Sequence, residues 1–338
     1  MTPRPDALLR TTSAGLCCPP GDFHIDPVRA VGRAVITHGH GDHARSGHDA
    51  VLATAETLAI MRARFGAEHA AHTQVLAYGE TIRIGEVEVT LHPAGHVLGS
   101  AQICLDWQGL RIVVSGDYKR RRDPTCPAFT PIPCDVFVTE ATFGLPVFRH
   151  PPDTGEIGKL LASRNLFSDR AHLVGAYTLG KAQRVIMLLR EAGYDRPIYC
   201  HGALEAMNAL YAAHGIPLGA LRALDRAKPA DLAGEIILAP PSALSDRWSR
   251  KMGNAVRAFA SGWMSIRARA RQQAVELPLV ISDHADWDEL TETIDALATA
   301  EIWVTHGNEE ALVHWARTKG RTARPLALSG YGEEGDAT

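Results

Sequence analysis

Short apolar runs separated by turn signals fill the chain between Val31 and about Thr142. The runs are rich in strand-forming residues, which predicts β-strands. The predicted strands are Ala34–Thr37, Val51–Thr54, Thr81–Ile84, Val87–Leu91, Ala101–Trp107, Arg111–Ser115 and Val136–Thr139. Gly85-Glu86 and Gln108-Gly109 are typical of hairpin or tight-turn positions. This strand-rich part predicts a sandwich of sheets.

The pattern changes after Phe143-Gly144, where Pro146, Pro151 and Pro152 indicate a linker. Beyond them, short strands alternate with longer apolar patterns of helical period. We predict strands at His172–Tyr177, Pro197–Cys200 and Glu235–Ala239, and helices at Leu179–Ala192 and Leu204–Ala213. Alternation of this kind predicts a parallel, Rossmann-like sheet.

From Leu277 onward we assign the chain to the same domain as the strand-rich first part. The predicted elements are a strand Leu279–Ser282, a helix that begins near Asp286 with Glu289 in its capping box, a strand Ile302–Thr305 and a helix from Asn308 to Lys319. We therefore predict a discontinuous first domain, residues 1–144 and 277–338, with a second domain inserted at residues 145–276.

Composition narrows the class of protein. The 338 residues are 46% hydrophobic and 22% charged, which is typical of a globular protein with a substantial core. The formal net charge of -3 excludes binding to nucleic acid through overall positive charge, so any polyanion site must be local. Six cysteines without a C-x-x-C pair argue against a zinc ribbon. No secretory or membrane-spanning run is evident, so we expect a cytoplasmic protein with reduced thiols.

The densest candidate chemistry follows the strand Ala34–Thr37. His38, His40, Asp42 and His43 place three imidazoles and a carboxylate within six residues. These groups are ligands for zinc, manganese and similar ions. Four such residues so close together cannot easily surround one ion, so they predict parts of two adjacent metal sites. The alternative is a surface loop that is rich in histidine.

Four further motifs put a ligand-type residue at or just beyond the end of an apolar strand. These residues are His96, Asp117, Glu140 and His306. Active sites of layered α/β folds lie at strand ends. A single residue of this kind is often a hydrogen-bonded structural one, but five motifs together predict a functional site.

With these motifs the chain resembles the metallo-β-lactamase superfamily and, within it, the β-CASP nucleases. The H-x-H-x-D-H loop matches the signature loop of the superfamily, His96 and Asp117 its third and fourth metal motifs, and His306 its last. The first motif, an aspartate that supports the loop, is assigned to Asp26, with Asp22 as the competitor. Three further features are similar to the β-CASP group, namely Glu140, His284 and the segment Gly180-Lys181-Ala182-Gln183. With Gly21 to Pro27 near its start, the chain is most similar to bacterial ligase-associated DNA exonucleases.

The resemblance implies an αββα sandwich with an inserted Rossmann-like β-CASP domain and a pair of divalent ions, Zn²⁺ or Mn²⁺. It implies that His38, His40 and His96 bind one ion, that Asp42, His43 and His306 bind the other, and that Asp117 bridges them. Such a pair activates a water for attack on phosphorus. Asp42, Glu140 and His284 would be catalytic, with His284 as general acid oriented by Glu140. A backbone-bonded histidine at a helix entry is the alternative for His284.

Local basic residues are the candidates for substrate binding. They are Lys119 and Arg120 in the run that ends at Arg122, Lys181 at a predicted helix start, and Arg267 and Arg269 after Gly262-Trp263. A solvated loop is the alternative for the first run. Trp263 is either a base-stacking residue or a core or interface residue.

We therefore expect a two-metal nuclease, an exonuclease acting on DNA in repair, with DNA ligase and helicase partners implied by the family. The nearest alternative is a β-CASP ribonuclease, because no residue here can be assigned to a 2′-hydroxyl. A small-molecule metallo-hydrolase and a non-catalytic scaffold are further alternatives. The presence of every metal ligand argues against the scaffold.

Overall fold

The chain is divided between two folded units. The structure, a computed structural model, describes residues 3–227, 229–245, 249, 252–297, 299–326 and 328. One unit comprises Met1–Arg149 and His284–Ala337, and the other comprises His150–Asp283. The limits predicted for an inserted domain that folds on its own, residues 145 and 276, stay a prediction.

The first sheet of the first unit has six strands in chain order. They are β1 (Arg10–Thr12), β2 (Gly15–Cys18), β3 (Phe23–Ile25), β4 (Arg33–Val35), β5 (His48–Ala53) and β6 (Ala70–Val75). β1, β2 and β3 pair antiparallel, and β3 to β6 pair parallel. The parallel arrangement brings the carboxyl ends of β3, β4 and β5 to one edge of the sheet.

The second sheet has seven strands in the order β19-β18-β11-β10-β9-β8-β7. Their bounds are β7 (Thr81–Ile84), β8 (Val87–Pro93), β9 (Ala101–Trp107), β10 (Leu110–Val114), β11 (Val136–Ala141), β18 (Glu301–Gly307) and β19 (Thr322–Pro325). The two predicted turns are confirmed as the β7–β8 and β9–β10 hairpins. Gln108 and Gly109 both have positive φ, as a type I′ turn requires.

Successive side chains of a strand alternate between the two faces of its sheet. One face of each sheet packs against the other sheet, and the opposite face packs against helices. On β18, Trp303 packs in the core between the sheets, whereas Ile302 and Val304 face α7 (Trp287–Leu297) and α8 (Glu309–Thr318). On the first sheet, Val35 points into the core between the sheets and Ala34 packs beneath α2 (Ala55–Phe65). A short helix α1 (Pro5–Leu8) adds Leu8 to the inner core. The layers are therefore helix, sheet, sheet, helix, which is the predicted αββα sandwich.

The second unit is built on a six-stranded, wholly parallel sheet in the order β14-β13-β15-β12-β16-β17. The strands are β12 (His172–Gly175), β13 (Ile198–Cys200), β14 (Leu221–Ala223), β15 (Ile236–Ala239), β16 (Val256–Ala260) and β17 (Leu277–Leu279). Its helices are α3 (Asp153–Leu166), α4 (Lys181–Glu191), α5 (Glu205–Ala213) and α6 (Arg267–Gln272). This is the Rossmann-like sheet that the alternation of strands and helices predicts.

Several elements differ from the sequence-based expectation, and α3, β6 and β16 are among those that were not predicted. The strand expected at Leu279–Ser282 is β17 (Leu277–Leu279), and it pairs with β16 in the parallel sheet of the second unit. Helix α2 was not predicted, because its buried residues, among them Thr57 and Met61, do not form a clean apolar stripe. No helix within the described ranges is both long enough and apolar enough to cross a membrane.

Candidate metal centre

The histidine-rich loop begins directly after β4, and its three imidazoles turn inward. His38, His40 and His43 are all buried, and the turn is closed by a bond from the His43 N–H to the His40 carbonyl oxygen (3.2 Å). Gly39 is required by close packing, because a Cβ there would lie 2.5 Å from Cγ2 of Ile60 on α2. The tight approach explains how ligands from consecutive residues reach one space.

Asp26, at the end of β3, holds this loop in place. Its buried carboxylate accepts hydrogen bonds from the Thr37 N–H (2.8 Å) and the Thr37 hydroxyl (2.5 Å), and contacts His43 Nδ1 at 2.8 Å. Thr37 Oγ1 in turn lies 3.0 Å from His38 Nδ1. Carboxylates in this position orient metal-ligating imidazoles and fix their tautomer. The competitor Asp22 is exposed, so the geometry favours Asp26 as the supporting aspartate.

The other ligand-type residues arrive from strand ends of the second sheet. His96 follows β8, Asp117 follows β10, and Glu140 is near the end of β11. Gly116, with φ of 57°, packs against Thr37, and an added Cβ would come within 2.8 Å of the Thr37 Cβ. The loop that carries Asp117 is thereby pressed against the loop that carries His38.

A β-bulge directs His306 into the same space. Along the β11–β18 ladder Glu140 pairs with Thr305, but Ala141 pairs with Gly307, so His306 is the extra residue. Its φ of 56° lies in the left-handed region. Bulges re-aim a side chain at the edge of a sheet, often next to an active site. The ring of His306 accordingly lies 5.0 Å from that of His43, centroid to centroid.

One carboxylate oxygen, Oδ2 of Asp117, lies at the centre of the cluster. The ring nitrogens near this oxygen are His43 Nε2 at 3.4 Å, His38 Nε2 at 3.5 Å, His96 Nε2 at 3.8 Å and His284 Nδ1 at 3.9 Å. One ligand atom each from His38, His40, His96 and Asp117 fit within 4.8 Å of one another. The structure thus brings together the set predicted for the first ion and the residue predicted to bridge.

The set predicted for the second ion is arranged around His43. Its Nε2 lies 3.7 Å from Oδ2 of Asp42 and 3.4 Å from Oδ2 of Asp117, and its ring faces that of His306. Asp42 is half-buried, whereas His43 is fully enclosed. All seven predicted metal ligands therefore belong to one cluster in the first unit.

Burial and mutual charge set the protonation of the cluster. Burial and the neighbouring His43 lower the pKa of His38 well below its ordinary value and lower that of His306 to about 4. Burial raises the pKa of Asp117, but the charges of His43 and His284 outweigh it and hold that pKa well below its usual range. His38 and His306 are thus neutral imidazoles and Asp117 an ionised carboxylate, the protonation states in which these groups bind metals. For His43, burial is outweighed by the charges of Asp117 and Asp42, which raise its pKa well above the ordinary value, so a bound cation would displace a proton there.

Glu140 and His284 form a pair beside the ligands. Glu140 Oε2 lies 2.9 Å from His284 Nδ1, and Oε1 accepts a hydrogen bond of 2.7 Å from the Tyr118 N–H. Burial raises the pKa of Glu140, with Asp117 adding to the increase and His284 opposing it. One ligand atom each from Asp117, Glu140 and His284 also fit within 4.8 Å of one another. The geometry thus makes His284 either an oriented acid–base group or an additional ligand.

The donor atoms of the cluster are arranged in a way that fits a divalent cation. Nε2 of His38 is buried and has no hydrogen-bond partner among the described residues, a state that is normally unfavourable by about 1–3 kcal/mol. His40 Nδ1 and His96 Nε2 face each other at 3.0 Å. A divalent cation bound between these nitrogens and the Asp117 carboxylate would satisfy all of them, so the residues fit the ions that the resemblance implies.

The basic residues predicted near Asp117 have partners inside the fold. Lys119 is buried, and its ammonium donates to Glu289 Oε2 (2.6 Å) and to the carbonyl oxygen of His284 (2.9 Å). A phosphate contact by Lys119 would require these bonds to break. Arg120 is half-buried and donates to the Thr293 hydroxyl at 3.3 Å.

The basic residues predicted in the second unit fall into two kinds. Lys181, the first residue of α4, is buried and forms an ion pair with Asp283. Arg267 is exposed, and the guanidinium of Arg269 stacks on the indole of Trp263 with its Cζ 3.9 Å from the ring centroid. Trp263 is half-buried and is therefore not a core residue.

Sequence reasoning missed the residues that orient the ligands through the backbone. Ser100 Oγ accepts hydrogen bonds from the N–H groups of His96 (3.1 Å) and Val97 (3.2 Å) and so shapes the His96 loop. Tyr118 does the same for Glu140 through its own N–H. Tyr118 directly follows the candidate ligand Asp117 and Ser100 lies four residues after His96, and neither role has another local signal.

The chain is similar in sequence to known proteins of three kinds. A probable DNA ligase of Opitutus terrae is 28% identical over 316 residues, which is 92% of this chain and 30% of the ligase. Endoribonuclease ysh1 of Emericella nidulans is 33% identical over 129 residues, 37% of this chain and 14% of that protein. Cleavage and polyadenylation specificity factor subunit 3-I of Arabidopsis thaliana is 28% identical over 142 residues, 37% of this chain and 18% of that protein. The chain thus spans less than a third of the length of these curated relatives.

No family model matches the chain. Its fold is similar to the crystal structure of a protein of unknown function from Enterococcus faecalis V583, with a TM-score of 0.60 and 12% identity over 89% of this chain and 80% of that one. In its layered fold, in the order of its strand-end ligands and in these relatives, the chain is similar to the β-CASP group of the metallo-β-lactamase superfamily.

Proposed function

We propose that the chain is a metal-dependent phosphodiester hydrolase that acts on DNA, an exonuclease working in DNA repair. The observation that carries the proposal is the convergence of His43, His38 and His96 on Oδ2 of Asp117, at 3.4 to 3.8 Å. A cluster of imidazoles around one carboxylate suits two cations held close together, which is the arrangement that phosphodiester hydrolysis uses.

Each ligand has a distinct role in this proposal. His38, His40 and His96 would hold one cation, Asp42, His43 and His306 the other, and Asp117 would contact both. When bound, the two divalent ions, Zn²⁺ or Mn²⁺, supply Lewis-acid activation of a water and neutralise charge on the phosphate. Asp26 keeps His43 directed at the site through its bond to Nδ1.

His284 and Glu140 are proposed to deliver the proton that the leaving oxygen requires. The bond between Glu140 and His284 Nδ1 orients the ring, so proton transfer to the leaving group would use Nε2. A protonated imidazole beside an anionic carboxylate is a suitable acid near neutral pH. The ring of His284 lies 4.7 Å from that of His96, centroid to centroid, close enough to serve a phosphate bound at the same ligands.

The choice of DNA is supported by how much of the chain is similar to each relative. The relative named a probable DNA ligase covers 92% of this chain, whereas the relatives named endoribonuclease ysh1 match 35 to 50% of it. Those shorter matches support RNA as the second candidate substrate. Because the ligase-named relative carries the similar segment within a longer chain, we also propose DNA ligase as a partner. A helicase partner rests on family resemblance alone.

A basic surface on α6 is proposed to bind the phosphates of the strand. Among the described residues no carboxylate pairs with Arg267, Arg269 or Arg271, in contrast to Arg170, whose guanidinium pairs with Glu276. Three such charges within six residues give a local polyanion site despite the net charge of -3. The stacked guanidinium of Arg269 adds a planar face for a base. Arg120 stays a candidate for a further contact.

Removing these charges is expected to weaken the dependence of DNA binding on salt. For a single strand, the slope of log K against log salt concentration changes by about 0.7 for each lost phosphate contact. The Arg267→Ala/Arg269→Ala variant should therefore show a slope that is less steep by about 1.4. Fluorescence anisotropy with labelled single-stranded DNA in EDTA measures the slope without cleavage. Arg222→Ala is the matched control, because Arg222 also lies over an aromatic ring, that of Tyr199, but on β14 at the opposite edge of the sheet. An unchanged slope in the double variant would remove α6 from the binding surface.

The proposed activity is tested with end-labelled single strands of DNA and RNA of one sequence. We expect the Mn²⁺- or Zn²⁺-loaded protein to shorten DNA from one end faster than RNA, and EDTA to stop the reaction. Labels at the 5′ and 3′ ends report the polarity and separate an exonuclease from an endonuclease. Faster loss of RNA would favour the ribonuclease. Cleavage of neither strand would contradict the proposal and leave a small-molecule hydrolase or a scaffold.

A further inference from the structure

The ammonium of Lys119 is anchored between two groups of the first unit. Its relative exposure is 1%, and Nζ donates to the carbonyl oxygen of His284 (2.9 Å) and to Oε2 of Glu289 (2.6 Å). Two of its three donors are thus directed at fixed acceptors. One of these acceptors belongs to the backbone of the proposed general acid.

Glu289 is itself held firmly at the start of α7. Its Oε2 accepts a hydrogen bond from the Asp286 N–H (3.2 Å), and its own N–H donates to Asp286 Oδ1 (3.0 Å), which is a reciprocal capping box. Oε1 accepts a bond of 2.7 Å from the Arg121 N–H. Burial disfavours the charged carboxylate, but Lys119 and Arg121 together outweigh burial and lower the pKa of Glu289. The Lys119–Glu289 contact is therefore an ion pair with a rigid carboxylate.

The backbone around Lys119 connects the remaining parts of the site. The Tyr118 N–H donates to Glu140, and the Tyr118 carbonyl oxygen accepts a bond of 2.7 Å from the Ala285 N–H. The Lys119 N–H donates to the carbonyl oxygen of Ala94 (3.1 Å), which begins the loop of His96. Three consecutive residues, Asp117 to Lys119, thus supply a ligand, a bond to Glu140 and two bonds to the segment of His284.

We propose that Lys119 is a positioning residue for the general acid, and this rests on the proposed function. By holding the His284 carbonyl oxygen from one side while Tyr118 holds Ala285 from the other, it fixes the ring of His284 against Glu140. A buried ion pair adds little net stability compared with apolar residues of the same size. The value of this pair is therefore geometric: an ammonium directs its bonds, which an apolar side chain cannot do. Catalysis depends steeply on such placement.

A double-mutant cycle tests this role. We expect Lys119→Met to lower kcat on DNA by about 10- to 100-fold with little change in KM or metal content. In the His284→Ala background the same substitution should change kcat less than about 2-fold, because the group that it positions is gone. A second substrate, bis(p-nitrophenyl) phosphate, has a leaving group that departs as a stable anion and needs no acid. Lys119→Met should therefore lower kcat on this second substrate only slightly.

Two further variants keep the test decisive. Lys119→Met/Glu289→Gln removes both buried charges and retains a residue suited to the capping box, so it replaces the single variant if that one does not fold. Thr291→Val is the structural control, because it removes a bond of 2.9 Å to the Trp287 carbonyl oxygen on the same helix. It should lower thermal stability without changing the ratio of the two substrates. Equal losses on both substrates, or an undiminished loss in the His284→Ala background, would overturn the positioning role. Inactivity of the wild type on both substrates would instead contradict the proposed function.

Discussion

Asp42→Ala is expected to abolish nuclease activity, lowering turnover of DNA by at least about 10³-fold. The residue is half-buried beside His43, with its Oδ2 3.7 Å from His43 Nε2. The substitution removes a negative ligand from the proposed second ion. A metal ion of this kind stabilises the transition state by several kcal/mol. Each 1.4 kcal/mol of lost stabilisation lowers the rate about tenfold. Digestion of end-labelled DNA at saturating substrate measures the effect.

Asp22→Ala is the matched control for this variant. Asp22 is an exposed carboxylate on the same unit, directly before strand β3, which leads to the site, and its removal should leave turnover unchanged. Metal analysis should find that Asp42→Ala has lost about one of two ions. Activity that survives the substitution would contradict the two-ion account of the site.

His284→Ala is expected to keep its metals and to lose about 10²- to 10⁴-fold in turnover of DNA, the range for a positioned acid. The ring is held by Glu140 at 2.9 Å, and its Nδ1 lies 3.9 Å from Oδ2 of Asp117, so removing the ring should leave the seven ligands in place. Elemental analysis of the purified variant, combined with the strand assay, separates loss of a proton donor from loss of an ion.

His314→Ala on α8 is the control, since His314 is exposed and lies outside the cluster. It should behave as the wild type in both measurements. If His284→Ala purifies with fewer ions than the wild type, then His284 is a ligand and the acid must be another group. That outcome would also remove the basis for the role proposed for Lys119.

Much of the site could be predicted because strand ends are visible in the hydrophobic pattern. The run Ile112 to Val114 is apolar at every position and stops where Ser115 begins, so the Asp117 loop could be assigned to a strand end. The same holds for the run that precedes His38. Because parallel neighbours in a sheet end on the same side, residues far apart in sequence could be expected to meet.

The remaining features depend on partners that no local pattern indicates. A run of Lys119 to Arg122 looks like a basic surface, yet the partner of Lys119 is Glu289, 170 residues later. The bulge that aims His306 is a register shift against Ala141, and register depends on the neighbouring strand rather than on local sequence. Helix α2 is stabilised by packing of Leu58 and Met61 on the first sheet and has little signal of its own.

Anomalous X-ray diffraction from crystals grown with Mn²⁺ tests the central claim most directly. We predict two peaks about 3.5–4 Å apart, one beside His38, His40 and His96 and the other beside Asp42, His43 and His306, with the Asp117 carboxylate between them. A single peak, no peak, or a His306 side chain directed away from the cluster would contradict the account.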